Sequence, residues 1–170
     1  NSRTKVALFK DGAIVKNLLY RSFTSGDVER LFSLYPITDS IVSSVANMEP
    51  AVVNALNRLS KNFVLFDHLT PLPIKNCYQT PETLGHDRIA AAVGAAYLSP
   101  GENLLIVDAG SAVTYDFVSA EHGYLGGNIA PGIKMRLTSL NQMTKRLPKI
   151  EIEPDALTPL FGKNTKEAMA

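Results

Sequence analysis

One cysteine, Cys77, stands in 170 residues, which excludes an internal disulfide framework and a cysteine-built zinc site. That usage fits a reducing cytosol. An excess of either charge is also missing: 17 Lys and Arg face 16 Asp and Glu, for a formal net charge of +1. No basic field calls for nucleic acid, and no acidic tail is present. No apolar run approaches the roughly 18 residues that a membrane helix needs. The opening residues show no charged-then-apolar leader pattern. Two phosphate-binding fingerprints are absent as well. Neither G-x-x-x-x-G-K-[ST] nor G-x-G-x-x-G occurs, so neither a P-loop nor a dinucleotide turn competes for a functional reading.

What is there is an ordinary globular composition, 45% apolar, enough for one or two compact domains. Thr4–Phe9 and Ala13–Tyr20 read as a strand hairpin about the turn Lys10-Asp11-Gly12. Ser25-Gly26-Asp27 caps a helix running to about Leu34. Asp39–Asn47 reads as a short strand leading into a polar loop. Pro50 opens a helix whose apolar positions are Val52, Val53, Leu56 and Leu59. Phe63–Asp67 is a strand. His68–Gly85 carries three prolines and reads as a long loop, of the kind that often carries function. Asp87–Leu98 is an Ala-rich helix closed by Pro100-Gly101. Leu104–Val107, Ala112–Val118 and Gly123–Ile129 are strands, followed by a helix from about Ile133 to Arg146. The order predicts an α/β fold with antiparallel strands mixed into the sheets. Both ends read as cut: the chain enters a strand at once, and "GKNTKEAMA" stops inside a starting helix.

A short repeat emerges when Asn1–Phe9 is laid over Gly110–Val118, with Ser2 on Ser111. It suggests two similar half-domains, over residues 1–100 and 101–170, the second incomplete. Each presents a small-residue loop to a common cleft. Gly and Ser at a turn bring backbone N–H groups close to an anion, because no Cβ intervenes. An Asp beside that anion is repelled by it and is better placed to hold a bridging cation. On this reading Gly110-Ser111 take phosphate oxygens and Asp108 a metal ion. The plainer alternative is a hairpin turn with Asp bonding its own backbone. Lys5 is either a point charge for phosphates or a solvated strand lysine.

Leu84–Arg88, "LGHDR", forms a second candidate site. Asp87 is either the N-cap of the Ala-rich helix or a base that takes a proton from an attacking hydroxyl. Arg88 would then bind a carboxylate in a two-pronged contact. Phosphoryl transfer suits such a site, because positioning and charge stabilisation carry most of that chemistry. "GYLGGNIAPGIK" (Gly123–Lys134) supplies four glycines for close backbone approach. Its Pro131-Gly132 opens a helix that either aims at an anion or closes an ordinary strand–helix turn.

"GHDR", "DAGSAVTYD", "GGNIAPG" and the opening "NSRTK" occur in one order. Together they resemble the type III pantothenate kinases of the actin/sugar-kinase/Hsp70 ATPase superfamily. Asn1-Ser2 and Lys5 match the second half of that family's D-x-G-N-[TS]-x-x-K phosphate loop. The resemblance implies two RNase H-like, actin-like half-domains and ATP-dependent phosphorylation of pantothenate, the first step to coenzyme A. It implies Asp87 as catalytic base, and Tyr78, Gly85, His86, Arg88 and Thr165 as pantothenate contacts alongside it. Asn1, Ser2, Lys5 and Ser111 would contact ATP, with Mg²⁺. Asp108 would hold a monovalent cation, K⁺ or NH₄⁺. It further implies a cytoplasmic homodimer. Three alternatives stay open: another small-molecule kinase of the superfamily, a non-catalytic accessory factor for gene expression, and a structural or interaction module whose polar tips are merely turns. A sugar pocket calls for several acidic or amide groups, and Tyr78–Arg88 offers few. A regulator predicts degraded catalytic positions, yet Asp87, Arg88 and Asp108 are present.

Overall fold

The computed structural model describes residues 4–44, 48–151 and 159–169. Asn1, Ser2 and the end of the expected Asp39–Asn47 segment lie outside them. The chain forms two compact units, Asn1–Thr70 and Pro71–Ala170. In both, helices accompany small sheets, as the element order predicts.

In the first unit, β1 (Thr4–Lys10) and β2 (Ala13–Tyr20) pair antiparallel. The turn between them takes positive φ at Asp11 (50°) and Gly12 (78°), the geometry that matches strand twist in a two-residue hairpin. α1 (Ser25–Leu34) follows, but its cap is Thr24, one residue earlier than Ser25. Thr24 and Asp27 form a reciprocal capping box, because a hydroxyl and a carboxylate three residues apart satisfy each other's backbone N–H. Next, β3 (Asp39–Val42) and β4 (Asn62–Leu65) pair in parallel around α2 (Pro50–Leu59). Such a crossover buries the helix on the strands. Val28, Val52, Ala55 and Leu56 form its core, with Phe23, Phe32, Val42, Met48, Leu59 and Phe63 packed around them.

In the second unit, β5 (Leu104–Ala109), β6 (Ala112–Ser119) and β7 (Gly123–Pro131) make one antiparallel sheet with β6 central. α3 (His86–Leu98) packs on β5 and β6, turning Arg88, Ile89 and Ala92 inward. Asp116 and Val118 of β6 and Tyr124 of β7 are buried. Leu105, Val107, Tyr115, Phe117 and Leu125 of the same sheet are exposed. α4 (Ile133–Met143) is shorter than the expected helix to Arg146, and α5 (Thr165–Met169) follows. The helix predicted to close the first half-domain thus packs inside the second compact unit, because its buried side chains have β6 as their partner surface.

The alignment of Asn1 over Gly110 extends well beyond the residues that suggested it. Carried forward, it lays Lys10, the end of β1, on Ser119, the end of β6. It lays the register shift at Leu8/Phe9 on the one at Phe117/Val118, and Leu34, the end of α1, on Met143, the end of α4. A strand–bulged strand–helix order therefore recurs at one offset. Bulges are built features of a sheet, so their coincidence carries more weight than the few matching letters. No helix among the described residues is long and apolar enough to cross a membrane.

Candidate active site

The Pro-rich loop that precedes α3 is held against β7. Cys77 donates its N–H to the Tyr124 carbonyl at 2.9 Å, and Tyr124 donates to the Lys75 carbonyl at 2.8 Å. Asn76 bridges in parallel to Tyr124. These bonds place Tyr78, whose N–H donates to the Asn76 side-chain oxygen at 3.0 Å. Its ring lies 6.2 Å from the Tyr124 ring and faces the Arg88 guanidinium at 5.7 Å. Gly126 takes φ +112°, a backbone conformation that favours glycine, and a Cβ there would touch the Tyr78 ring at an ordinary contact distance of 3.4 Å. A short 3₁₀ turn, Pro81–Thr83, then delivers the chain to the helix start.

At that start, the N-cap is Gly85 and not Asp87, and no side chain caps the helix. Asp87 sits two positions further in, exposed, with its Oδ1 accepting the Arg88 N–H at 2.9 Å. Oδ2 has no protein partner among the described residues. A carboxylate oxygen free of protein contacts at the mouth of a helix is what a proton acceptor requires. Gly85 is needed for this pose, since a Cβ there would lie 2.6 Å from Asp87 Oδ1. Gly85→Ala should therefore shift the Asp87 carboxylate, a mobile group, without breaking the fold. The expected outcome is an unchanged melting temperature and a kcat lowered about 100-fold, the usual scale for ångström-level misplacement of a reacting group. A kcat within twofold of wild type would show that this carboxylate position does not matter.

The two-pronged contact expected of Arg88 exists, but its partner is internal. Arg88 Nε donates to Asp116 Oδ1 at 3.0 Å and Oδ2 at 3.2 Å, and Nη2 donates to Oδ1 at 2.6 Å. The pair is enclosed, Arg88 6% and Asp116 1% exposed. Tyr124 donates its hydroxyl to Asp116 Oδ1 at 2.7 Å. The Asp116 hydrogen bond holds the Arg88 guanidinium well above its usual value, against an opposing effect of burial. Burial first, then the bond to Asp116, pushes the Tyr124 hydroxyl up, so it remains a donor at neutral pH. The Nε–Nη2 fork of Arg88 is thus occupied, and only its outer N–H groups remain for any ligand. Asp116 and Tyr124 carry no role in the sequence reading. The available signal was an acid on the inward side of an alternating strand, a position that demands a partner.

The second group of predicted residues lies at the β5–β6 corner. Asp108 is the last but one residue of β5, opposite Thr114, and Ser111 forms the turn; both are exposed. The backbone of Gly132, where α4 begins, donates to the Ser111 carbonyl at 3.1 Å. A Cβ on Gly132 would stand 2.3 Å from the Gly110 carbonyl, so the helix start and the corner approach as closely as glycine allows. Asp108 makes no ion pair among the described residues, and no cluster of three His, Cys, Asp or Glu side chains occurs among them. A lone exposed carboxylate is a hard-oxygen donor, of the kind that suits hard cations rather than zinc. Thr165 opens α5 and, with Arg136, Lys163 and Asn164, lines an open cavity of about 530 Å³. Lys5 is exposed on β1.

These positions can be set against known proteins. The profile of the type III pantothenate kinase family matches residues 1–170. The chain belongs to this family. A type III pantothenate kinase of Phocaeicola vulgatus is 40% identical over 169 residues, covering 99% of this chain and 69% of that protein. One of Bacteroides fragilis is 42% identical over 170 residues, with the same coverage. A solved chain from Campylobacter jejuni, a Baf family transcriptional activator by its description, shares 24% identity at a TM-score of 0.44. It is matched over 91% of this chain and 64% of its own. At that score the likeness assigns neither fold nor activity.

Proposed function

We infer that this protein is a pantothenate kinase, a phosphotransferase that moves a phosphoryl group from ATP to the terminal hydroxyl of pantothenate, the first step of coenzyme A biosynthesis. The observation that carries this reading is the family match over residues 1–170. The site chemistry agrees with it. Asp87 accepts the hydroxyl proton on its free oxygen while Oδ1 stays tied to the backbone of Arg88. Tyr78, Gly85, His86 and Arg88 bound the acceptor pocket, with Thr165 contributing a hydroxyl. Arg88 serves it through its outer N–H groups, since its fork is taken.

On the nucleotide side, Asn1, Ser2, Lys5 and Ser111 contact ATP and its Mg²⁺. Mg²⁺ and a monovalent cation supply charge neutralisation for the phosphates when bound. Asp108 would hold the monovalent cation, K⁺ or NH₄⁺. We propose two actin-like half-domains, residues 1–100 and 101–170, with α3 of the first packed on β5 and β6 of the second. The recurring strand–bulged strand–helix order supports that assignment. A cytoplasmic homodimer is the assembly we propose.

The test is a coupled assay of the whole protein with ATP against pantothenate and a panel of sugars. Turnover with pantothenate alone is expected; turnover with a sugar and none with pantothenate would refute the reading. Replacing K⁺ by Na⁺ should weaken ATP use, and Asp108→Ala should erase the difference between the two salts. Equal rates in both salts for the unaltered protein would remove the cation from Asp108.

A further inference from the structure

A carboxylate with two enclosed hydrogen-bond donors lies behind the acceptor side of the site, and the chemistry sketched above does not use it. Asp116 is central. It accepts from Arg88 through Nε and Nη2 and from the Tyr124 hydroxyl, with Asp116 1% and Tyr124 0% exposed. Both ends of this network reach residues assigned to pantothenate. Arg88 follows Asp87 on the first turn of α3, and its guanidinium lies over the Tyr78 ring at 5.7 Å. Tyr124 meets the same ring at 6.2 Å and hydrogen-bonds through its backbone to Lys75 and Cys77 of the loop that carries Tyr78.

Stability alone gives little reason for such an arrangement. Taking two charges out of water costs about as much as their attraction returns, and well-packed apolar pairs often serve a fold as well. What an ion pair adds is geometry. A guanidinium bonded through Nε and Nη2 has one plane and one orientation. Its outer N–H groups then point in one direction, and the Tyr78 ring facing it is set at the same time.

We propose that Asp116 and Tyr124 are positioning residues for the acceptor substrate: they orient the Arg88 guanidinium and, through it, the Tyr78 ring, so that the surface meeting pantothenate is formed before the substrate arrives. Preorganisation of this kind lowers the cost of ordering side chains on binding. It acts on the acceptor alone, because β6 presents Asp116 to α3 whereas Ser111 and Asp108 lie at the β5–β6 corner. The inference rests on the reading of the protein as a pantothenate kinase.

The experiment is steady-state kinetics on the whole protein and its Asp116→Asn and Tyr124→Phe variants, varying pantothenate and ATP separately, with thermal melts of each. Asp116→Asn should raise the KM for pantothenate about tenfold, the scale of one charge-assisted hydrogen bond. Its KM for ATP should stay within about twofold, and its kcat should recover at saturating pantothenate. Tyr124→Phe removes a single hydroxyl and should show the same split, smaller, in a protein that still folds. Loss of kcat with both KM values unchanged means less folded enzyme and a merely structural pair, which would overturn the inference. So would equal rises in the two KM values. If the unaltered protein fails to phosphorylate pantothenate, the functional reading falls, and this inference falls with it.

Discussion

Asp87→Asn should lower kcat by about 100- to 10,000-fold, the range general-base catalysis supplies, while ATP binding stays near that of the unaltered protein. Asn keeps the size of the side chain, and its amide oxygen can still accept the Arg88 N–H that Asp87 Oδ1 accepts at 2.9 Å. The helix start is therefore preserved. What is lost is the second oxygen's capacity to take a proton, because an amide is not a base at neutral pH. Single-turnover phosphorylation beside calorimetric ATP binding separates the two effects. Normal turnover in the variant would remove Asp87 from the base role. Loss of ATP affinity together with turnover would show a general structural defect. The same experiment weighs against a non-catalytic regulator, whose function would not depend on that proton.

Gly127→Ala should be the most damaging single methyl in the second unit. A Cβ at Gly127 would lie 1.8 Å from the Tyr115 carbonyl and 2.8 Å from the Asp116 Cα, both backbone atoms of β6 that cannot step aside alone. Gly127 pairs with Asp116 across β6 and β7, so relief of the clash parts the strands at the buried ion pair. Separating Arg88 from Asp116 leaves enclosed charge uncompensated, an effect of about 3–5 kcal/mol where such pairs are broken. Gly94 is the control. It lies inside α3, a Cβ there would meet nothing within 4 Å, and Gly94→Ala should stabilise by about 0.5–1 kcal/mol from helix propensity. Denaturant unfolding of both variants measures the contrast. Gly127→Ala as stable as the unaltered protein would mean that β6 and β7 do not pack as described.

Much of the local structure was legible because it is decided locally. Asp11-Gly12 specifies a two-residue turn whatever surrounds it, and Pro50 opens a helix for reasons internal to the backbone. The strand of Gly123–Ile129 was recognised, though it runs on to Pro131 because pairing with Ala112 holds its last residues. Caps were less legible. Ser25 and Asp87 both carry good capping groups, yet Thr24 and Gly85 hold the cap positions. Which of several adjacent polar residues turns outward depends on how the helix packs.

The string of residues alone determined the α/β character and the hairpin turns, and it showed the "GHDR" and "DAGSAVTYD" segments. Each of these depends on neighbours a few positions apart. The tertiary structure decided what Arg88 grips. Asp116 lies 28 residues away on another element, and an arginine fork binds any carboxylate that packing presents to it. Sequence shows that the charge is there; only the folding of α3 onto β6 shows that the fork is already filled from inside.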